Sequence, residues 1–188
     1  LARGATLYVT LEPCSHLKKR TPPCVPAVIQ SGVHRVVVAM RDPNPAVSGK
    51  GLAQLRRAGL PVTVGVARKD AEALNRAYGH WIVSKRPYVT LKAGMTLDGQ
   101  IATAHGESKW ITGLQSRREV HRLRSAMDAV IVGIGTVQKD NPSLTARNSP
   151  GLTALASTQP TRIVVDSHLR IARSAKILTQ QSSAKTII

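Results

Sequence analysis

The sequence contains no phenylalanine, and aromatic residues of all kinds make up only 3% of it. A hydrophobic core must therefore be built from Val, Leu, Ile and Ala. The chain also offers no series of aromatic side chains on which nucleic-acid bases could stack. No apolar run approaches the roughly 18–20 residues of a membrane-spanning helix.

Acidic residues are scarce, with 10 Asp and Glu against 27 Lys and Arg, so the formal net charge is +17. An excess of this size suits nucleic acid or an anionic small ligand. The basic residues are scattered, with one short cluster at residues 18–20, so a solvated basic surface and a phosphate-bearing ligand both stay open. Only two cysteines are present, and we expect the chain to lie in a reducing, cytoplasmic compartment.

The alternation of apolar runs and turn residues predicts two α/β parts. In the first part, strands are predicted at residues 6–11, 33–40 and 62–66, and helices at residues 24–31, 51–58 and from Ala71 to just before Pro87. The polar, proline-marked segment 84–87 is the predicted boundary. The sequence therefore predicts one domain over residues 1–85 and a second over residues 86–188.

The second part is predicted to begin with a strand over residues 88–92. Ser116 and Glu119 have the spacing of a capping box, which predicts the start of a helix. Further strands are predicted at residues 129–134 and 162–166 and from Thr186 onward. Residues 148–160 contain Ser, Thr, Gly and Pro and are predicted to form a loop.

Cys14 and Cys24 are the candidate metal ligands. Cys14 follows the first predicted strand, and Cys24 begins a helix, where the helix N-terminus favours the thiolate that zinc binds. Zinc deaminases combine a His or Cys with two cysteines, but these commonly have the spacing P-C-x-x-C. Because nine residues separate the two cysteines here, spacing alone leaves open a zinc pair, a redox pair and two inert core residues.

The segments EPCSH and TPPC, together with the strand before them, resemble the bifunctional deaminase/reductase family of riboflavin biosynthesis. The resemblance continues in the family's order through RVVVAMRDPNP, PYVTLKAGMTLDGQIAT, GESKWIT, VGIGTVQKDNPSLTAR and RIVVDS, and covers nearly the whole chain. It implies the C-terminal part of a cytidine-deaminase-like three-layer αβα domain. The N-terminal part of a dihydrofolate-reductase-like α/β domain would follow.

For the first domain, the resemblance implies zinc, with Cys14 and Cys24 as two ligands and His16 facing the substrate. The third ligand and the proton-shuttling Glu belong to an H-A-E segment upstream in such proteins, so we assign no catalytic residue within the chain. Glu12 is not taken to replace that Glu. The loop between the cysteines lacks the family's glycine and is one residue longer. Three further residues are implied to line the substrate pocket: Arg20, Asp42 and Asn44.

For the second domain, the resemblance implies reduction by NADPH. The residues implied to bind NADPH are Gly94, Trp110, Thr136, Asp140 and Ser167. Those implied to face the substrate are Ser108, Arg124, Leu144 and Arg147. No G-x-G-x-x-G motif follows a predicted strand. From the residues alone, the Gly133-x-Gly135-Thr136 segment is either a phosphate-binding turn or a tight strand exit.

Arg124 has an unusual position for a charged residue on the predicted helix. It lies about 40° around the predicted helix from Val120, beside an apolar stripe. A guanidinium there either pairs with an anion or extends its charged end to water. Both interpretations stay open.

We therefore expect a parent enzyme that deaminates 2,5-diamino-6-ribosylamino-4(3H)-pyrimidinone 5′-phosphate and then reduces its ribosyl chain to ribityl. The alternatives are a zinc deaminase acting on nucleosides, bases or tRNA, and a basic, non-enzymatic binding module. We expect no nucleic-acid or membrane partner and leave a homo-oligomer open. Because the chain starts without Met and ends in an apolar run, we expect a fragment lacking both ends, inactive or impaired as it stands.

Overall fold

The computed structural model describes residues 2–17, 19–147 and 159–188. The chain forms two compact units, Leu1–Leu91 and Lys92–Ile188. Each unit contains a three-stranded parallel sheet with helices between the strands, which confirms the predicted α/β class. Among the described residues, no helix is both long and apolar enough to cross a bilayer.

The sheet of the first unit has the strand order β1-β2-β3. The elements of this unit are β1 (Thr6–Leu11), α1 (Cys24–Gln30), β2 (Arg35–Met40), α2 (Lys50–Arg57), β3 (Val62–Val64), α3 (Arg68–Leu74) and α4 (Arg76–Ser84). Residues 36–39 of the central strand β2 are all buried. Because successive side chains of a strand point to opposite faces, both faces of β2 are covered. Val36 and Val38 pack with Val25, Leu52 and Leu55 in the core.

The single helix predicted from Ala71 is instead two helices that meet at Asn75. This residue has φ −96° and ψ 14°, and its side-chain amide donates to the Ala71 carbonyl at 2.9 Å. Asparagine competes with the backbone for such carbonyls, which favours a helix end. The prediction of one continuous helix is therefore wrong, and Leu74, at the end of the first helix, is 72% exposed.

The sheet of the second unit has the strand order β4-β5-β6. The elements of this unit are α5 (Leu114–Ser125), β4 (Ala129–Gly133), α6 (Ile134–Asp140), β5 (Thr161–Val165), α7 (Lys176–Thr179) and β6 (Thr186–Ile187). Its core joins Ile134 and Val137 of α6 to Val164 of β5 and Ile177 of α7. Of the loop predicted over residues 148–160, residues 148–158 lie outside the described residues.

Two local predictions are wrong. Residues 88–92 are not a strand, because no described strand pairs with them, and Val89 and Leu91 are 79% and 93% exposed. Ser116 does not cap a helix, because α5 begins at Leu114 after Gly113 and has no side-chain cap. The Glu119 carboxylate instead pairs with a cation within the helix, Arg122.

Glu12 is a buried carboxylate that joins the end of β1 to the start of α2. Its Oε1 accepts the N–H groups of Gly51 and Leu52 at 3.0 and 3.2 Å. Its Oε2 accepts those of Gly49 and Asp42 at 2.9 and 3.4 Å. The first N–H groups of a helix have no partner within it, and negative charge is stabilised there. Glu12 therefore caps α2 from a distant part of the chain.

Gly51 makes this junction possible. A Cβ atom at this position would lie 2.0 Å from the carbonyl oxygen of Pro13, which is backbone that no side-chain rotation can move. The segment that carries Cys14 therefore packs directly against α2 only because residue 51 is glycine.

We predict that Glu12→Gln lowers the free energy of unfolding of the first unit by about 2–4 kcal/mol, because an amide group would face N–H donors that now bond to a carboxylate. Urea unfolding followed by Trp81 fluorescence, in a Trp110→Phe background, measures this unit separately. Glu72→Gln is the matched control. Glu72 forms an exposed ion pair with Arg68 at 2.6 Å, and its loss should cost at most about 0.5 kcal/mol. Equal effects of the two substitutions would contradict the role of Glu12.

Candidate functional site

The two cysteines meet at the start of α1. Their Sγ atoms lie 3.4 Å apart. The backbone N–H groups of Cys24 and Val25 donate to the Cys14 carbonyl at 3.0 and 3.2 Å, so the loop before the helix also caps its N-terminus. Thiols that are far apart in sequence therefore converge, despite a spacing that differs from the common deaminase motif.

Lys19 contacts this pair, with its Nζ 2.5 Å from the Sγ of Cys14. Burial by itself raises the pKa of the Cys14 thiol, but the hydrogen bonds from Lys19 and Cys24 outweigh burial and the pKa lies below its ordinary value. The pKa of Cys24 is raised, first by its hydrogen bond to Cys14 and then by burial. Of the two thiols, Cys14 therefore has the lower pKa. The sequence showed Lys19 only as part of the basic cluster at residues 18–20, and its contact with Cys14 was not predicted.

The cysteine pair fits two corners of a zinc site. Zinc–sulfur bonds of about 2.3 Å in tetrahedral geometry place two thiolates about 3.8 Å apart. The observed separation of 3.4 Å is close to this value, and the pKa of the Cys14 thiol is lowered. Within the described part of the chain, no third His, Cys, Asp or Glu joins the pair to form a metal-binding group.

His16 lies two residues beyond Cys14 and is half-buried. Its Nδ1 atom is buried and has no hydrogen-bond partner within the described part of the chain. An unpaired buried nitrogen of this kind costs free energy that a polar ligand atom can recover. This arrangement is compatible with a substrate contact, which stays a prediction.

Asp42 is buried, and its carboxylate already has partners within the protein. It accepts the Tyr78 hydroxyl at 2.9 and 3.2 Å and the Asn44 N–H at 2.9 Å. Burial, followed by the hydrogen bond to Asp42, raises the pKa of Tyr78 to about 12. The Asn44 side chain accepts the N–H of Ala46 at 3.0 Å, while Arg20 is exposed. Asp42 and Asn44 thus stabilise the turn after β2, and contacts of the three residues with substrate stay predictions.

In the second unit, the carboxyl ends of two parallel strands place two of the predicted residues, Thr136 and Ser167. Gly133 at the end of β4 pairs with Val165 at the end of β5. Thr136 lies in α6, which begins directly after β4, and Ser167 lies two residues beyond β5; both are exposed. Ligands of open α/β sheets bind at this edge. Asp140 is half-buried at the opposite end of α6.

Gly94 and Trp110 are connected through Thr112. A Cβ on Gly94 would lie 3.6 Å from the Thr112 Cγ2 atom. The Thr112 carbonyl accepts a hydrogen bond from Arg117 Nη1 at 2.6 Å, and the Arg117 guanidinium carbon lies 4.4 Å from the centre of the Trp110 ring. The structure therefore brings together two residues that the sequence assigns to the cofactor, with Arg117 beside them.

A basic cluster lies on and near α5. Burial first, and then the charge of Arg147, lower the pKa of the half-buried Arg124. His121, one helical turn before Arg124, also has a lowered pKa because of burial and the charges of Arg147 and Arg124. Its Nδ1 is buried with no hydrogen-bond partner among the residues that the structure describes. Among the described residues, the ion pairs involve neither Arg124 nor Arg147, which favours an external anion as their partner.

His121 was not singled out from the sequence. The signal that could have found it is the H-x-x-R spacing, because residues three apart lie on the same helix face.

The two remaining predicted residues differ in character. Ser108 is half-buried, and its carbonyl accepts the Ile111 N–H at 3.3 Å. The Leu144 side chain is buried in the core of the unit, and its φ of 52° lies in the left-handed region, which is unusual for a residue with a bulky side chain. Only the backbone of Leu144 is therefore positioned to meet a ligand.

We predict that, in metal-free chain at pH 7, iodoacetamide alkylates Cys14 faster than Cys24. The thiolate is the reactive form, and its fraction at pH 7 rises as the thiol pKa falls. Lys19→Met should slow alkylation of Cys14, because it removes the ammonium that lowers this pKa. Peptide mass spectrometry measures both rates. Lys69→Met, on the exposed face of α3, is the control. Faster alkylation of Cys24, or no effect of Lys19→Met, would disprove this assignment.

Comparison with known families agrees with the two-unit organisation. Residues 87–188 match the family described as "RibD C-terminal domain". Residues 2–40, which contain both cysteines, match the "Cytidine and deoxycytidylate deaminase zinc-binding region".

Curated relatives are similar over the whole chain. The "Riboflavin biosynthesis protein RibD" of Aquifex aeolicus is 50% identical over 187 residues, covering 100% of this chain and 51% of the relative. The protein of the same name from Escherichia coli is 46% identical over 186 residues, covering 95% of this chain and 50% of the relative. The chain therefore spans about half the length of the curated relatives it matches.

Solved structures confirm the predicted fold class. Acinetobacter baumannii RibD superposes with a TM-score of 0.84 at 44% identity, covering 95% of this chain and 50% of that chain. A diaminohydroxyphosphoribosylaminopyrimidine deaminase/5-amino-6-(5-phosphoribosylamino)uracil reductase from Thermotoga maritima gives a TM-score of 0.83 at 41% identity, covering 98% and 50%. Because the family match extends over residues 87–188, more than half of the 188 residues, the chain belongs to the RibD C-terminal domain family.

Proposed function

We propose that the chain contributes residues to both steps of a bifunctional enzyme of riboflavin biosynthesis. The first unit would serve the hydrolytic deamination of 2,5-diamino-6-ribosylamino-4(3H)-pyrimidinone 5′-phosphate, and the second the NADPH-dependent reduction of its ribosyl chain to ribityl. The observation that carries the proposal is the pair of thiols 3.4 Å apart at the start of α1, within a segment that matches a deaminase zinc-binding region. The printed name of the Thermotoga maritima protein, a deaminase/reductase, supports the pairing of the two activities.

In the deamination step, Cys14 and Cys24 would hold the zinc ion. Zinc, when bound, activates water for hydrolysis at an amidine-like carbon. The unpaired Nδ1 of His16 would orient the substrate. Glu12 is unsuited to shuttle protons, because four backbone N–H groups occupy its carboxylate.

In the reduction step, Arg124 and Arg147 would bind the substrate phosphate through charge-assisted hydrogen bonds, with Ser108 and the Leu144 backbone alongside. NADPH, when bound, supplies the hydride. Five residues would bind it and orient it toward the substrate: Gly94, Trp110, Thr136, Asp140 and Ser167. In this step the main task of the protein would be to orient the cofactor and the substrate toward each other. The carboxyl ends of β4 and β5 would provide the edge at which they bind.

Several expectations stay predictions. We place the functional boundary between residues 85 and 86, although the compact units divide six residues later, after Leu91. We propose a cytoplasmic enzyme acting on a small phosphorylated pyrimidine, with homo-oligomerisation left open. Salt-dependent RNA binding by the purified chain would instead favour the basic binding module.

We predict that the chain binds Co²⁺, a spectroscopic substitute for zinc, with a thiolate-to-metal charge-transfer band in its absorption spectrum. Cys14→Ser and Cys24→Ser should each weaken the band, and the double substitution should abolish it, because these are the only cysteines in the chain. Ser31→Ala is the control, because the Ser31 hydroxyl only donates to the Val28 carbonyl at 2.7 Å. A band that survives the double substitution would mean that the cysteines do not hold the metal.

We predict that Arg124→Met weakens binding of 5-amino-6-(5-phosphoribosylamino)uracil by about 10–100-fold, because one charge-assisted contact to the phosphate is lost. Isothermal titration calorimetry measures the affinity. Arg118→Met, at an exposed position of the same helix, should bind as tightly as the unsubstituted chain. The phosphate site would be wrongly assigned if Arg124→Met and Arg118→Met bound equally well.

A further inference from the structure

The Trp110 ring is held on one side by a doubly anchored arginine. Arg117 Nη1 donates to the Thr112 carbonyl at 2.6 Å, and its guanidinium carbon lies 4.4 Å from the centre of the indole ring. The Arg117 backbone N–H donates to the Gly113 carbonyl at 3.1 Å, so the residue belongs to the first turn of α5. Both ends of the Arg117 side chain are therefore fixed.

The contact leaves the other side of the ring open. Trp110 is 72% exposed, although the guanidinium covers one of its faces. A cation over an indole face is attracted by the ring quadrupole, and here it also restricts rotation of the ring. Among the described residues, Arg117 forms no ion pair with a carboxylate. Its cationic group is therefore committed to the ring and the Thr112 carbonyl.

Gly94 and a cavity both lie next to the short segment 110–112 that carries the indole. Thr112 approaches Gly94, where a Cβ would lie 3.6 Å from the Thr112 side chain. Ile111 lines a cavity of about 460 Å³ whose wall includes Asp98 and Gln100. Cavities that hold small ligands measure roughly 300–1,000 Å³. The indole therefore lies next in sequence to a cavity of suitable size, on a segment that Arg117 fixes.

We infer that Arg117 is a positioning residue, which holds the indole of Trp110 so that its open face stacks against a flat ring of the cofactor. The inference rests on the proposed NADPH-dependent function and adds to it a residue that acts through Trp110. An indole can stack against a flat ring on one face, which is a favourable aromatic contact. It can at the same time hold a cation on its other face through a cation–π interaction. Adenine and nicotinamide are both flat rings of the required chemistry.

The test uses the 188-residue chain with Trp81→Phe, so that all tryptophan fluorescence comes from Trp110. Titration with NADPH should quench this emission with saturation. Adenosine 2′,5′-bisphosphate and nicotinamide mononucleotide are titrated separately, and the one that quenches identifies the stacked ring. Arg117→Met should raise the NADPH dissociation constant about tenfold, and Arg117→Lys, which keeps a cation, should recover part of the loss.

A second measurement examines the ring without cofactor. Arg117→Met should increase quenching of Trp110 by acrylamide, because it uncovers the second indole face. Arg118→Met is the matched control, at the next position of the same helix, and should change neither measurement. Circular dichroism should show the same helix content in all variants. A variant that fails to fold would be recognised by the loss of its helical signal.

The outcomes separate the two proposals. Saturable quenching that Arg117→Met weakens and Arg117→Lys partly restores supports the positioning role. Equal NADPH affinity and equal acrylamide quenching in Arg117→Met and Arg118→Met would overturn it and leave the proposed cofactor site intact. Failure of the unsubstituted chain to bind NADPH would reject the cofactor site, and the role of Arg117 with it.

Discussion

The carboxylate of Glu12 accepts four backbone N–H groups at the junction of β1, the turn after β2 and the start of α2. Buried and surrounded by donors, it satisfies helix N–H groups that α2 cannot satisfy itself. Gly51 allows the Pro13 carbonyl to pack against the same helix. The position of Cys14, immediately after Pro13, follows from these contacts, and the thiol pair with Cys24 depends on that position.

In the second unit, the candidate ligand-binding residues are positioned by the sheet and by helix α5 rather than by a buried carboxylate. Its parallel strands end side by side, and this arrangement gathers Thr136 and Ser167 at one edge of the sheet. The half-buried Arg124 lies near Arg147 and His121 with no carboxylate partner among the described ion pairs. Like charges held together are stabilised when an anion binds between them. Both units therefore hold charged or polar atoms that have no partner among the described residues.

The sequence predicted what local patterns determine and missed what distant contacts determine. The strands β1, β2 and β4 follow from apolar β-branched runs. The metal role assigned to Cys14 and Cys24 from the segments around them stays a prediction. The break at Asn75 depends on a side-chain bond to Ala71, and the exposed run at residues 88–92 has strand-like composition but no partner strand. Lys19 and Arg117 could not be found from spacing, because their roles depend on where the folded loop and helix place a cation.

The central claim is that the segment anchored by Glu12 presents two thiols to one metal ion. X-ray absorption at the zinc edge, on the chain loaded with one equivalent of zinc, tests this most directly. We expect two sulfur neighbours at about 2.3 Å from the metal. A shell that contains only nitrogen and oxygen would contradict the claim.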